Sequence, residues 1–266
     1  MRVAIGGFGA IGAKLAKRLD EGIEGLQLVA VSARNHERVR AAIASFRSPP
    51  AVLALAALAH DADVVVECAP AAVFREIAEP AIQAGRIFMP SSVGQLLVHA
   101  DLIELAKATR ARILVPTGAL LGLDAVRAAA EGTIRSVRMV TRKPPAGLDG
   151  APYLVENAIS LAGLTAPLKV FDGTARDGAK GFPANVNVAA ALSLAGIGPD
   201  RTFLEIWADP TVSRNTHAIE VEGDEVRFSM TIENVPSAEN PRTGMLTPLS
   251  VIAALRALTS TLKVGS

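Results

Sequence analysis

Cysteine is nearly missing from this chain: among 266 residues there is one, Cys68. That excludes a disulfide framework within the chain and a cysteine-based zinc site, and it fits a reducing compartment. Aromatic residues make up only 4%. Neither sign of charge is in excess, with 27 Lys plus Arg against 26 Asp plus Glu and a formal net charge of +1. A chain so balanced offers no broad basic surface, so neither nucleic acid nor a membrane is expected as a partner. The histidines His36, His60, His99 and His217 have no partner at metal-ligand spacing, and no metal is expected. Long apolar runs are missing too. Mean hydropathy is high at +0.34, yet the richest stretch, Ala62 to Phe74, is broken by Asp63, Glu67 and Pro70. A spanning helix needs about 18 apolar residues. The first residues enter a strand-like pattern with no basic and apolar leader, so a cytoplasmic location is expected.

What is present is an alternation of short apolar strands with amphipathic helices. Arg2 to Ile5, Leu26 to Val31, Asp63 to Cys68, Ile87 to Pro90 and Arg112 to Val115 read as strands. Helices are expected near Ala10 to Glu21, from His36 to Ser45 with Asn35 as cap, from Ala71 to Ala84 and from Asp101 to Thr109. That order predicts an α/β fold, a Rossmann-type doubly wound parallel sheet. After Thr117-Gly118-Ala119 the pattern changes. A helix near Gly122 to Ala130 leads to strands at Ile134 to Thr141, Phe203 to Ala208, Thr216 to Glu222 and Val226 to Ile232, which alternate apolar and polar residues. Asp172 to Gly181 reads as a loop and Asn187 to Gly196 as a helix. A second α+β domain with a mixed or antiparallel open-faced sheet is expected. The boundaries are 1–119 for a dinucleotide-binding domain and 120–242 for a substrate, catalytic and dimerisation domain, with a helix in 243–266 packing back on the first.

Gly7-Phe8-Gly9-Ala10-Ile11-Gly12 is a G-x-G-x-x-G placed after a strand and opening a helix. In that context it is a pyrophosphate cradle. Gly7 allows the tight turn, Gly9 the close approach of a phosphate, and Gly12 close packing of helix on strand. The helix N-terminus adds free N–H groups and the positive dipole end. At the end of the second strand, where an acid usually binds the ribose hydroxyls, stand Ser32-Ala33-Arg34-Asn35. Ser32 would not repel a 2′-phosphate. Arg34 could pair with one, or lie solvated or against adenine with NAD still used. The expected cofactor is therefore NAD or NADP. Cys68-Ala69-Pro70 and Ser91-Ser92-Val93-Gly94 follow later strands and are candidates for contacts to the nicotinamide half, with Cys68 read as structural rather than nucleophilic.

In the second half, Thr141-Arg142-Lys143-Pro144 puts two cations at a strand end, and Asn185 and Asn187 precede an apolar helix. Asn240 lies in Glu239-Asn240-Pro241-Arg242-Thr243. These groups are either caps and turns or a ring around a small anion. His217, where a polar turn enters a strand, is either structural or at a cleft.

Taken together, these motifs resemble the L-aspartate dehydrogenases almost end to end. The resemblance rests on the glycine fingerprint, Thr117-Gly118-Ala119, Gly122-Leu123-Asp124-Ala125, Thr141-Arg142-Lys143, Phe182-Pro183-Ala184-Asn185-Val186-Asn187-Val188-Ala189-Ala190, Asn215-Thr216-His217 and Glu239 to Thr243. It implies a homodimeric enzyme that oxidises L-aspartate to iminoaspartate with NAD or NADP, reversibly, with a metabolic hand-off to quinolinate synthase in NAD synthesis. It places the catalytic histidine on His217 and cofactor contacts on Ala119 and Asn187. Lys143, Lys180, Asn185 and Asn240, with Arg142 and Arg242, are then candidates to hold the substrate carboxylates. Two alternatives stay open: a reductase of another small dicarboxylate or imine, and a non-catalytic dinucleotide-binding regulator.

Overall fold

The computed structural model describes residues 1–237 and 244–265. The chain divides into two compact units, one of Met1–Pro116 with Thr247–Val264, the other of Thr117–Leu246.

The first unit is built on β1 (Arg2–Gly6), α1 (Ala10–Glu21), β2 (Gln27–Ser32), α2 (His36–Ile43), β3 (Ala51–Val52), β4 (Val64–Glu67), α3 (Phe74–Gln83), β5 (Ile87–Pro90), α4 (Gly94–Val98), α5 (Asp101–Thr109) and β6 (Arg112–Ile113). All six strands run parallel in the order β3-β2-β1-β4-β5-β6. The order reverses between β1 and β4, which is where an open α/β sheet binds its ligand. β4 is Val-Val-Val-Glu and every residue of it is buried, as a central parallel strand with both faces covered requires. The helix expected at His36 is capped by Asn35, whose Oδ1 accepts from Arg38 N at 2.9 Å. The short β3 is followed by a 3₁₀ turn at Leu55–Ala59. The apolar run before His99 forms α4, and His99 stacks on Phe74 with ring centroids 6.1 Å apart.

The second unit contains α6 (Leu123–Ala130), β7 (Ile134–Lys143), α7 (Pro152–Glu156), β8 (Leu168–Thr174), α8 (Ala175–Gly181), α9 (Asn187–Ala195), β9 (Thr202–Ala208), β10 (Asn215–Gly223) and β11 (Arg227–Asn234). Its sheet is mixed, in the order β11-β10-β7-β9-β8. β9 runs parallel to β7 rather than antiparallel. The chain between them crosses over through helices, so it returns in the same direction. A second correction concerns Asp172 to Gly181, which is not a loop. β8 continues to Thr174, and α8 starts there because Thr174 Oγ1 accepts from Asp177 N at 3.1 Å and donates to Asp177 Oδ2 at 2.7 Å. Glycine in this segment serves packing: a Cβ on Gly178 would sit 2.8 Å from Leu204. Tyr153, Phe171 and Phe182 pack with ring centroids 5.3–5.6 Å apart and tie α7, β8 and the end of α8 together.

The last helix, α10 (Leu246–Thr259), belongs to the first unit from Thr247 on. Val251 and Leu255 are buried among Leu15, Leu19, Val31 and Val64, and Thr259 Oγ1 donates to Glu24 O at 2.8 Å. Among the described residues no helix is long and apolar enough to cross a membrane. Truncating Leu255, which has no exposed surface, should cost about 2–5 kcal/mol. Urea unfolding of Leu255→Ala will show that loss, and a change within about 0.5 kcal/mol would mean the helix is not part of this core.

Candidate active site

In the first unit, the turn after β1 is held on both sides by neighbouring strand ends. Gly7 N donates to Ser32 O at 2.8 Å, and Cys68 N donates to Gly6 O at 2.7 Å. The turn lies so close to the chain after β4 that a Cβ on Gly7 would stand 2.4 Å from Cys68 O, and Gly7 has φ +106°. Only glycine meets both demands. A Cβ on Gly12 would lie 2.0 Å from Gly7 O, so α1 presses directly on the turn. Above Gly9 the reverse holds, with nothing within 4 Å of a Cβ built there. α1 opens with no side-chain cap and no acid in its first turn. Open space over Gly9 beside uncapped N–H groups is what a pyrophosphate needs, so these residues fit a dinucleotide.

The other first-unit candidates surround this turn. Phe8 and Ile11 pack partly buried on the core, and Ala10 is the first residue of α1. Ser32 is buried at the end of β2, and Arg34 is exposed two residues on. Cys68 Sγ lies 3.5 Å from Ser91 Oγ, and enclosure followed by the nearby Glu67 charge pushes its thiol up to about 12. So high a value keeps it protonated and unreactive.

In the second unit, strand alternation decides which side chains converge. On β7, Val137, Met139, Thr141 and Lys143 are buried and share one face. β10 pairs antiparallel with it, setting Val221 opposite Val137, Ile219 opposite Met139 and His217 opposite Thr141. The face is therefore apolar over most of its length and becomes polar at one end. There His217 Nδ1 and Thr141 Oγ1 share a hydrogen bond of 3.1 Å, and Lys143 Nζ donates to Asn185 Oδ1 at 2.8 Å. His217 is 3% exposed and Lys143 4%. Burial first, and then the charge of Lys143, drop the His217 pKa from 6.5 to about 3, so the imidazole is neutral at pH 7. Burial alone lowers Lys143 to about 8. Asn185 is set by the turn after α8, where its N–H donates to Phe182 O at 2.8 Å.

Other second-unit candidates lie elsewhere. Arg142 is on the opposite face of β7, stacked 4.6 Å over Trp207 and paired with Asp209 at 3.2 Å. Lys180 is exposed on α8, 3.8 Å from Asp177, and is not part of the buried cluster. Asn187 begins α9 and is half-buried. Asn240 and Arg242 fall outside the described residues. Sequence reasoning missed Asn234, which is buried at the end of β11 opposite Asn215 and donates through Nδ2 to Ala119 O at 2.7 Å. Its signal was an amide at the inward-facing end of an alternating strand. It also missed Thr141 as the partner of His217. Among the described residues, no three His, Cys, Asp or Glu side chains are grouped to hold a metal ion.

Residues 124–258 match the family described as aspartate dehydrogenase, C-terminal, and residues 7–116 match the homoserine dehydrogenase NAD binding domain. The chain is 59% identical over its whole length to an L-aspartate dehydrogenase of Bradyrhizobium diazoefficiens, covering 94% of that protein. It is 54% identical over 99% of its length to L-aspartate dehydrogenase 3 of Bordetella bronchiseptica, covering 97% of it. The crystal structure of aspartate dehydrogenase from Thermotoga maritima is similar with a TM-score of 0.78 and 25% identity, over 100% of this chain and 99% of that one. A homoserine dehydrogenase from Thiobacillus denitrificans shares the fold, with a TM-score of 0.62 and 14% identity over 97% of this chain and 73% of that one. With the glycine cradle on one unit and the buried histidine and lysine on the other, this full-length similarity shows that the chain belongs to the L-aspartate dehydrogenase family.

Proposed function

We propose that the chain oxidises L-aspartate to iminoaspartate with NAD or NADP, and that His217 is its catalytic base. The observation that carries the role of His217 is an imidazole buried, neutral and fixed by Thr141 at the polar end of the second sheet. When bound over the Gly7–Gly12 turn, the nicotinamide cofactor supplies the two-electron acceptor for the substrate Cα–H.

The chain's own residues do the rest. The substrate amine must lose a proton before its nitrogen can form a double bond to the α-carbon. With Nδ1–H donating to Thr141 Oγ1, Nε2 of His217 holds a free lone pair to take that proton. Burial, and then the charge of Lys143, make the imidazole a weak base. A substrate carboxylate on Lys143 offsets that cation, the smaller of the two causes, and so makes the imidazole a stronger base as the substrate arrives. Asn185 takes one of the three ammonium donors of Lys143 and aims the group. The remaining donors hold a carboxylate. The same His217 can later activate the water that releases oxaloacetate and ammonia. Ala119 and Asn187 serve the cofactor in this reading, with Asn234 fixing the Ala119 carbonyl. A homodimer delivering iminoaspartate toward quinolinate and NAD synthesis completes it.

Replacing His217 with Gln should lower kcat for aspartate-dependent NAD(P)H formation by about 10²–10⁴-fold while coenzyme binding holds. Near-wild-type turnover would remove His217 from the chemistry. Lys143→Met should instead raise the KM for aspartate about 10- to 100-fold, the loss of one charged hydrogen bond. An unchanged KM would exclude Lys143 from the carboxylate site.

The depressed histidine also fixes a pH dependence of stability. The unfolded chain takes up this proton below pH 6.5, but the folded one holds it off until about 3. Stability from this group is therefore full above pH 6.5 and declines as pH falls. Between pH 7.5 and pH 5 wild type should lose about 2 kcal/mol more than His217→Gln in urea unfolding. Parallel losses would show that His217 is not held neutral by burial.

A further inference from the structure

Glu67 ends β4 with no exposed surface at all. It stands at the reversal of strand order, on the strand next to β1. A buried carboxylate normally has a cation beside it, because desolvation is costly without one. The groups that meet Glu67 are instead hydrogen-bond donors from two loops. Oε1 accepts from Ala69 N at 2.8 Å and from Ser92 Oγ at 3.0 Å, and Oε2 accepts from Ser92 N at 2.9 Å. Ser92 Oγ also lies 3.4 Å from Ala69 O. The carboxylate therefore fastens the loop after β4 to the loop after β5. The loop after β4 is the one against which the Gly7 turn rests, with Cys68 O filling the place of a Gly7 Cβ.

A role confined to stability would be met more cheaply by an apolar side chain of similar size. What a carboxylate adds is four lone-pair sites that draw backbone N–H groups into fixed positions. The loops so fixed are those at the carboxyl ends of β4, which flanks the switch point where a dinucleotide sits, and of β5 beside it.

We propose that Glu67 is a positioning residue for the coenzyme: it holds the loops after β4 and β5 in the geometry that the dinucleotide crevice requires. The inference rests on the reading of the first unit as a dinucleotide site. Every group bonded to Glu67 donates to it, so a proton on either oxygen opposes a donor and loosens the clamp. Burial raises its pKa to about 7 against the opposing pull of those hydrogen bonds. Its titratable neighbour Cys68 is pushed up to about 12 and does not titrate in the same range.

The test is calorimetric titration of the whole chain with NADH and with NADPH, at pH 6 and pH 8, on wild type, Glu67→Gln and Ser92→Ala, each checked for folding by circular dichroism. Glu67→Gln keeps the volume but turns one acceptor oxygen into a donor. Its Kd for the preferred dinucleotide should rise tenfold or more, with kcat at saturating coenzyme within about threefold of wild type. Wild-type affinity should fall from pH 8 to pH 6, and the variant should not follow that fall. Ser92→Ala, which buries no charge, should weaken binding in the same direction by a smaller factor, and it carries the test if Glu67→Gln does not fold. Wild-type Kd and wild-type pH dependence in a folded Glu67→Gln, or an unchanged Kd in Ser92→Ala, would overturn the positioning role. A wild type that binds neither dinucleotide would instead overturn the dinucleotide site itself.

Discussion

Burying two basic side chains on one sheet face is the constraint that organises the second unit. Lys143 and His217 share the inward face of β7 and β10, out of water, and their charges disfavour each other there. One must give up its proton, and the weaker base does. Neutrality of His217 at pH 7 therefore follows from the packing and needs no special acid nearby. Its orientation follows from the same register, since the residue paired with it across the strands is Thr141. Helices arranged to hold Asn185 against Lys143 finish the arrangement, and the Tyr153, Phe171 and Phe182 rings set the turn from which Asn185 projects.

The first unit meets a different constraint, the approach of backbone to backbone. Its central turn is squeezed between the ends of β2 and β4 and pressed by α1, yet open above Gly9. Close packing on three sides and space on the fourth turn a glycine-rich segment into a cradle, because the N–H groups of the helix start then face a volume no side chain fills.

Much of this was legible in the sequence for reasons of locality. The glycine fingerprint is six consecutive residues whose roles depend on their immediate neighbours. The Asn35 cap is a contact three residues long. The pattern put Lys143 at a strand end and His217 at the entry to a strand, without telling which way either side chain faced. What stayed hidden needed register between distant segments. Thr141 and His217 are 76 residues apart, and nothing local announces that they are opposite each other. Lys143 and Lys180 were equal candidates by chemistry, and only the fold buries one and exposes the other. The α8 segment was read as a loop, although the Thr174-to-Asp177 spacing was a capping signal in plain view. Glu67 was passed over as an interruption of an apolar strand.

Glu67 and the pair of Lys143 with His217 pose the same physical question in two separate sheets. Each sheet is apolar through its middle and buries titratable groups at one end, and in neither case is an opposite charge bonded to them among the described residues. Stability alone would select against both arrangements, since an unpaired buried charge costs more than the hydrophobic contact it displaces. The cost falls if a bound molecule supplies what the protein withholds. For Lys143, under the proposed reaction, that would be a substrate carboxylate. For Glu67 the compensation is already internal, in the form of loop N–H groups, and what the carboxylate gains is their placement. A buried charge answered by a ligand marks a binding site, whereas one answered by loop backbone marks the support of a site. The two units differ in that respect, and the difference follows from the donors each group meets rather than from its residue type.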